Sequence, residues 1–196
     1  MDSFQRHWYT DEVHLHAISA MLNYEQALRL LMDVQTRQSR RVWALLSSFL
    51  MHTAIISRFI DVSGRPNSAQ PRRDQLRAHL SVEDDSPILP RGARDDMEHF
   101  DERMDNWIAK GRRKVLEMVV DDREDYDYFS DGGWAIRRLL IVDEMNLISE
   151  DSKGNPQETE LRPIYEALQR LEKVCAEKLE RESPYQYVGP GGQERM

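Results

Sequence analysis

One stretch of the chain constrains its fold more than any other: residues 42–62 read VWALLSSFLMHTAIISRFIDV. The stretch is apolar nearly all round, and a helix without a polar face has to be buried on most of its sides. Such a helix belongs at the centre of a bundle, so other parts of the chain must supply helices that pack around it. We therefore expect a mainly α-helical protein.

Helical periodicity predicts the partners of this central helix. Thr10 can cap a helix that runs to about residue 38, and its apolar residues recur at intervals of three and four: Ile18, Met21, Leu22, Ala27, Leu28, Leu31 and Met32. Residues 64–73, with Gly, two Pro, Asn and Ser, are expected to form a loop, followed by one or two helical turns within 74–82. Two further helices are predicted over about 94–110 and 162–181. The first of these carries a stripe of Met97, Phe100, Met104, Trp107 and Ile108.

The pattern changes between residues 115 and 162. The segments VLEMVV, WAIRRLLIV and NLISE are rich in β-branched residues, and SDGG and DSKGNP between them are typical of turns. They predict a small antiparallel hairpin or sheet before the last helix. The expected fold is thus a bundle of four to five helices with a β insertion at about 115–162, in a single domain spanning 1–183. Residues 184–196, rich in Gly and Pro, are expected to be a flexible tail.

Charge and composition exclude several functional classes. Of 196 residues, 27 are Lys or Arg and 35 are Asp or Glu, so the net charge of -8 repels nucleic acid, and RNA binding needs a local basic patch. The N-terminus lacks a basic region followed by an apolar one, and no window approaches eighteen apolar residues, so we expect a cytoplasmic protein without membrane contact. The lone Cys175 is expected to pack rather than react. No phosphate-binding glycine loop, nucleophile elbow or paired cysteine motif is present, so neither cofactor nor metal is expected.

Residues 94–107, RDDMEHFDERMDNW, place one arginine and one histidine among carboxylates. On a straight helix Arg94 and His99 would point about 140° apart, so they could not touch side by side. They could converge only in a cleft at the helix N-terminus, or where two copies of the helix meet across a dimer axis.

Arg94, Asp95 and His99, spaced R-D-x-x-x-H and continued by EHFDERMDNW, resemble the motif of the HEPN superfamily. Its helical domains carry an Arg, a polar residue and a His near the start of a late bundle helix. The resemblance implies a HEPN-like domain over 1–183 and a homodimer whose two motifs face each other. It also implies a metal-independent endoribonuclease, or an RNA-binding protein, of a bacterial toxin–antitoxin or defence system, with RNA and an antitoxin or other protein as partners. Many such relatives are non-catalytic.

The motif residues suit metal-free RNA cleavage. His99 can exchange protons near neutral pH, and the fork of Arg94 can bind phosphate oxygens bidentately. Asp95 would orient or cap these groups rather than attack. Further RNA-binding cations are expected at Arg58, Arg77, Arg91 and Arg103.

A second interpretation of these residues stays open. Arg94 can pair with Glu98, and His99 with Asp95 or Glu102, as an ordinary solvated face whose carboxylates repel phosphate. The chain would then be a non-catalytic interaction or assembly module that binds a protein through acidic surfaces. The run DDREDYDYFSDG at 121–132, which lacks the pattern of a calcium loop, is either a solvated loop or such a docking surface.

Three other histidines are weaker candidates. His14 and His16 form an H-x-H pattern, but on a helix they point about 160° apart, which does not suit a shared metal. His52 lies within the most apolar helix and is expected to be a hydrogen-bonded core histidine, with a catalytic role held in reserve should His99 prove inert.

Overall fold

The computed structural model describes residues 1–33, 35–61, 70–89, 100–110, 115–130, 135–151 and 155–181. Its helices are α1 (Ser3–Leu31), α2 (Arg40–Ile60), α3 (Gln70–His79), α4 (Phe100–Ala109), α5 (Arg123–Ser130) and α6 (Leu161–Arg181). Its strands are β1 (Val115–Val120), β2 (Ala135–Ile141), β3 (Asn146–Glu150) and β4 (Pro156–Glu160). The protein is thus mostly helical, with a small four-stranded sheet before the last helix, which confirms the predicted fold class at that level.

Helix α1 begins and ends earlier than predicted. The carboxylate of Asp2 accepts a hydrogen bond from the backbone N–H of Gln5 at 2.7 Å, and the Gln5 side chain bonds back to the backbone of Asp2. This capping box starts the helix seven residues before the expected cap, Thr10. At the other end, the hydroxyl of Thr36 donates to the carbonyl of Leu30 at 2.8 Å and supports the turn that follows.

The buried face of α1 is built mainly from small residues. Ala17, Ala20 and Ala27 are fully buried, and the helix packs against α2 on one side and α6 on the other. Alanines let two helices approach closely, which larger side chains would prevent. Three residues predicted for the core lie away from this face and are instead exposed: Ile18, Leu22 and Met32.

Helix α2 has the central position that its composition predicts. Half of its most apolar stretch is buried inside the protein, including Trp43, Phe49 and Ile56. By length and hydropathy alone it is also the one helix, among the residues searched, that could cross a membrane. The expectation that no segment meets that requirement was therefore too strict, and the absence of membrane contact stays a prediction.

Helix α3 takes in residues that were predicted to be a loop. It begins at Gln70, and Pro71 in its first turn is compatible with a helix because the first N–H groups need no intrahelical acceptor. Arg73, in the same helix, is almost completely buried and donates a hydrogen bond to the carbonyl of Asp61. The structure therefore corrects the loop prediction for 70–73.

Of the predicted stripe on α4, the structure describes the side chains of Met104, Trp107 and Ile108, and among these only Trp107 is buried. Trp107 is buried, and its indole N–H donates to Oε2 of Glu150 at 3.2 Å, at the end of β3. Met104 and Ile108 are exposed, Ile108 by 70%. Packing of these two residues into the core was therefore predicted wrongly.

The sheet is mixed and not antiparallel throughout. Its strand order is β1-β2-β3-β4, with β1 and β2 parallel and the other two pairs antiparallel. Parallel strands need a crossover connection, and here α5 forms part of it. Two elements were missed: α5, which lies in the acidic run interpreted as a solvated loop, and β4, whose sequence PQETE is polar.

Side chains at the turn between α1 and α2 hold the sheet against the helices. Gln38 accepts a hydrogen bond from the backbone N–H of Val119 at 3.1 Å and donates one to its carbonyl at 2.5 Å. The guanidinium of Arg138 lies over the ring of Trp43, 4.8 Å from its centre, and bonds to Glu117 at 3.0 Å. These contacts fix β1 and β2 beside the start of α2.

The last helix has nearly its predicted bounds. Leu161–Arg181 confirms the expected helix over 162–181, and its buried face carries Leu168, Leu171 and Cys175. Burial raises the pKa of the Cys175 thiol to about 12, so the residue packs as expected. The predicted tail, 184–196, lies outside the described residues, and the single-domain assignment stays a prediction.

Candidate functional site

The residues of the predicted catalytic motif lie outside the part of the chain that the structure describes. This applies to Arg94, Asp95 and His99 and to the predicted RNA-binding Arg91. Arg103 is in α4, but its side chain is not among those described. The motif ends one residue before Phe100, where α4 begins. The catalytic interpretation and the alternative pairing with neighbouring carboxylates therefore both stay predictions.

Arg77, a predicted RNA-binding cation, is engaged within the protein. Its guanidinium donates to the carbonyls of Val82 at 3.2 Å and Glu83 at 3.1 Å, and it pairs with Asp84 at 2.5 Å. It thereby holds the chain reversal after α3, in which Ser81 has a left-handed φ of 54°. Contact with RNA would require the guanidinium to leave these partners, so its RNA-binding role stays a prediction.

Arg58, the other described cation, lies in the last turn of α2 and is half-buried. The surrounding end of the helix pair is aromatic and basic. Tyr9 and Phe59 pack edge to face with ring centres 5.8 Å apart, and the guanidinium of Arg72 lies 4.6 Å above the Tyr9 ring. Arg58 shares this end of α2 with Phe59, and its RNA contact stays a prediction.

A pair of histidines forms the most distinctive polar contact between α1 and α2. Nδ1 of His16 lies 2.8 Å from Nδ1 of His52, and the ring centres are 5.0 Å apart. At this distance one ring must donate Nδ1–H to the unprotonated Nδ1 of the other. The two residues therefore hold one proton between these nitrogens.

A carboxylate extends this pair toward the surface. Oε2 of Glu12 lies 4.0 Å from Nε2 of His16, one helical turn away. Burial, and then the nearby His16, lowers the pKa of His52 from its ordinary 6.5. Nε2 of His52 makes no hydrogen bond to any residue that the structure describes. Proton transfer is possible between His16 and His52, which are hydrogen-bonded, whereas Glu12 at 4.0 Å contributes only its charge.

His52 is partly buried and hydrogen-bonded, as expected for a core histidine. Its pairing with His16 was missed. The signal was available: His16 lies 15 residues before the end of α1 at Leu31, and His52 lies 12 residues after the start of α2 at Arg40, so the two are at similar distances from the connection. In an antiparallel helix pair, residues at similar distances from the connection lie at a similar height along the helix axes and can contact each other.

The H-x-H pattern has separate partners on its two sides. His14 reaches α6, where its Nε2 lies 3.2 Å from Oε1 of Glu172, whereas His16 faces α2. Within the ranges that the structure describes, no three His, Cys, Asp or Glu side chains are arranged to hold a metal ion. The predicted divergence of the two rings agrees with these contacts.

The acidic run forms an ordered surface beside the sheet. Arg123 binds Glu158 at 2.8 Å and Glu144 at 2.5 Å, and these bonds lower the pKa of both carboxylates. The amide of Asn146 also donates to Glu158 at 2.6 Å. On the following turn Tyr128 is 79% exposed.

The sequence matches no family model, and neither a curated protein nor a solved structure is similar to it. The sequence motif and the geometry of the described residues therefore carry the functional inference alone.

Proposed function

We propose that the protein is a HEPN-like, metal-independent endoribonuclease or RNA-binding protein of a bacterial toxin–antitoxin or defence system. Arg94 and His99 would act together in a dimer cleft in the cytoplasm, with Asp95 orienting them. The proposal rests on one observation: the R-D-x-x-x-H motif directly precedes a helix of a mostly helical chain.

The helical contacts support a bundle of four to five helices as the core of this proposal. Helix α1 packs along both α2 and α6, and α3 packs against α2. Helix α4, which follows the motif, is attached to the end of β3 by the hydrogen bond from Trp107 to Glu150. In this arrangement the sheet is an accessory layer.

The chemistry needed is proton transfer at the 2′-hydroxyl and the leaving oxygen, together with stabilisation of the negative charge that develops at phosphorus. His99 would move the proton, and Arg94 would hold the phosphate oxygens. A second copy of the chain would bring a second pair of these residues to the same cleft.

A stripe on α1 supports the homodimer. Phe4, Trp8, Leu15, Ile18 and Leu22 are exposed large apolar residues on one face of the helix. They recur at intervals of three and four, with Asp11 filling the one gap, and they lie about 180° from the buried alanine face. Exposed apolar surface of this length, about 27 Å, is typical of an interaction face, and its spacing suits a second helix.

The occupant that we propose for this stripe is α1 of a second copy, in the antiparallel direction. In a parallel pair, Asp11 would face its own copy, and the like charges would repel each other. An antiparallel pair centred on the stripe sets Phe4 opposite Leu22 and Trp8 opposite Ile18. It places Asp11 opposite Leu15 rather than opposite its own copy, and it aligns the helix dipoles favourably.

The test of the catalytic proposal is RNA cleavage in EDTA. Purified protein is incubated with single-stranded and structured RNA, alongside Arg94→Ala and His99→Ala. We expect cleavage by the unchanged protein and a loss of about a hundredfold or more with His99→Ala, since a positioned acid or base contributes that much. Arg181→Ala, at an exposed arginine on α6, is the matched control.

Absence of cleavage by folded, dimeric protein would contradict the nuclease. RNA binding that survives in the absence of cleavage would favour the non-catalytic RNA-binding form. An equal loss of cleavage in Arg181→Ala would show that the total positive charge of the protein, rather than the motif, determines the cleavage rate.

A second candidate function is a non-catalytic module that binds a basic segment of a protein partner, such as an antitoxin. The observation that favours it is α5, where Tyr128 projects among the exposed carboxylates of Glu124, Asp125 and Asp127. Aromatic anchors ringed by charges are common in interfaces. Binding of a Lys- and Arg-rich peptide that is lost in Tyr128→Ala but kept in Tyr165→Phe would support it.

A further inference from the structure

We propose a second site, separate from the motif, that binds the phosphate group of a nucleotide. It is a cavity of about 330 Å³ on the flank of the α1–α2 pair, close to the turn that joins the two helices. Its lining comes from both helices: Gln26, Arg29 and Leu30 of α1, and Arg41 and Leu45 of α2.

The polar groups that line this cavity are mainly hydrogen-bond donors. Two guanidinium forks and one amide NH₂ are the donor set that binds phosphate oxygens in proteins, and no carboxylate lines the cavity. Arg29, Arg41 and Gln26 are exposed, and none of them makes a hydrogen bond or ion pair to another described residue. Their donors are therefore available to a ligand.

The cavity lies in a basic segment of an acidic protein. Residues 29–41, RLLMDVQTRQSRR, contain four arginines and one aspartate, whereas the whole chain has a net charge of -8. Of these arginines, Arg37 is used in an ion pair with Asp121. The others provide a positive potential that would attract an anion to this end of the helix pair.

The start of α2 strengthens the site. Arg40 and Arg41 occupy its first turn, which has no acidic residue, although the positive end of the helix dipole disfavours cations there. Ser39 at the cap position makes no capping hydrogen bond, and its buried hydroxyl has no partner among the residues described. An anion bound beside Arg41 would offset the unfavourable placement of the cations in the first turn, whereas Ser39 does not line the cavity.

The remaining walls indicate the class of ligand. Leu30 and Leu45 give the cavity apolar sides next to its cations, so it suits an anion that is joined to a less polar body. The volume is at the lower end of the range for small-molecule pockets, which is adequate for one nucleotide. The shared chemistry is a phosphate ester, carried by a free nucleotide or by one unit of an RNA strand.

The test compares three probes by calorimetry at low ionic strength: inorganic phosphate, adenosine monophosphate and a short single-stranded RNA. Arg29→Gln and Arg41→Gln each remove one fork. We expect each to weaken binding of at least one probe by about tenfold or more, because a hydrogen bond to a charged group is lost. Arg40→Gln is the matched control, since it removes the same charge in the same helical turn without lining the cavity.

If Arg40→Gln weakens binding as much as Arg41→Gln does, the proposal is overturned, because the general positive charge of the segment would then explain the binding. The absence of binding by all three probes would also overturn it. Affinity for the monophosphate that Arg29→Gln and Arg41→Gln weaken identifies a nucleotide site, and affinity for RNA alone that these two variants weaken identifies a strand-docking site. Neither result depends on Arg94 or His99, so this proposal and the nuclease proposal can fail separately.

Discussion

At the scale of single residues, burial decides what a side chain can do. His52 is an ordinary titratable group whose surroundings make its neutral form preferable, first through desolvation and second through His16. Trp107 shows the same principle for a neutral donor, because its buried indole N–H is satisfied by Glu150. Both positions couple one side chain to a partner on another element.

The histidine pair makes stability depend on pH. Since the pKa of His52 is lower in the folded protein than in the unfolded chain, the unfolded chain binds this proton first as pH falls. The stability that comes from keeping His52 neutral is fully present above the unfolded pKa of about 6.5. It is lost as the pH falls from there toward the folded pKa. We expect the free energy of unfolding, measured with urea, to be lower at about pH 5.5 than at about pH 7.5. We expect His52→Gln to reduce the difference between the two values.

His16→Gln separates the two causes of this effect. It removes the neighbouring charge but leaves His52 buried. We therefore expect it to reduce the difference in the free energy of unfolding between the two pH values without abolishing it. An unchanged difference between the two pH values in His52→Gln would contradict the assignment to this residue.

At the scale of elements, close packing of α1 against two other helices depends on its alanines. Ala20 is fully buried in that face, where an added side chain has no space. We expect Ala20→Leu to lower the free energy of unfolding by about 1–3 kcal/mol, measured from the urea midpoint.

Gln26→Leu is the control for this prediction, because it adds the same residue at an exposed position of the same helix. We expect it to change stability by no more than about 0.5 kcal/mol. A similar loss in both variants would mean that leucine is harmful anywhere on α1, not that the packing of Ala20 is tight.

The elements also show how much of the fold the sequence predicts. Helices α2 and α6 were predicted well because their apolar residues repeat locally with the helical period. The parallel pairing of β1 and β2 was not predicted, because pairing of distant strands depends on contacts that no local pattern reveals. Helix α5 was missed because a segment of eight residues, seven of them charged or aromatic, resembles a loop by composition.

The candidate site was likewise predictable from the sequence only in part. The motif with Arg94 and His99 is visible in the sequence, since it depends on residue types at a fixed spacing. The contact of His16 with His52 and the shared cavity of Arg29 with Arg41 depend on two helices that lie side by side. Such neighbours follow from the fold, so only the antiparallel helix pair could have indicated them.

At the scale of the whole molecule, charge and apolar surface are distributed unevenly. The acidic surface of α5 and the basic turn between α1 and α2 meet where Arg37 pairs with Asp121. The outer face of α1 carries the exposed apolar stripe. These surfaces give the proposed dimer, nucleotide and protein partners separate places to bind.

The stripe predicts the oligomeric state. We expect the protein to be a dimer by light scattering, and Leu15→Glu or Ile18→Glu to make it a monomer, because a charge would be buried in the interface. Tyr128→Glu, at an exposed aromatic residue outside the stripe, should remain dimeric.

Cross-linking distinguishes the two directions of packing. In the proposed antiparallel pair the two copies of Phe4 lie at opposite ends of the stripe, so Phe4→Cys should not form a disulfide between copies. Efficient oxidation of Phe4→Cys to a linked dimer would contradict the antiparallel arrangement, and a monomer at all concentrations would contradict the stripe as an interface.

The side chain of Gln38 has one more consequence. By binding both backbone groups of Val119, it imitates a neighbouring strand and closes the outer edge of β1 at that point. The opposite edge, β4, begins with Pro156 and carries Glu158 and Glu160, which are poor partners for another strand. Both edges of the sheet are thereby poorly suited to edge-to-edge pairing, which leaves helical surfaces for the proposed association between copies of the protein.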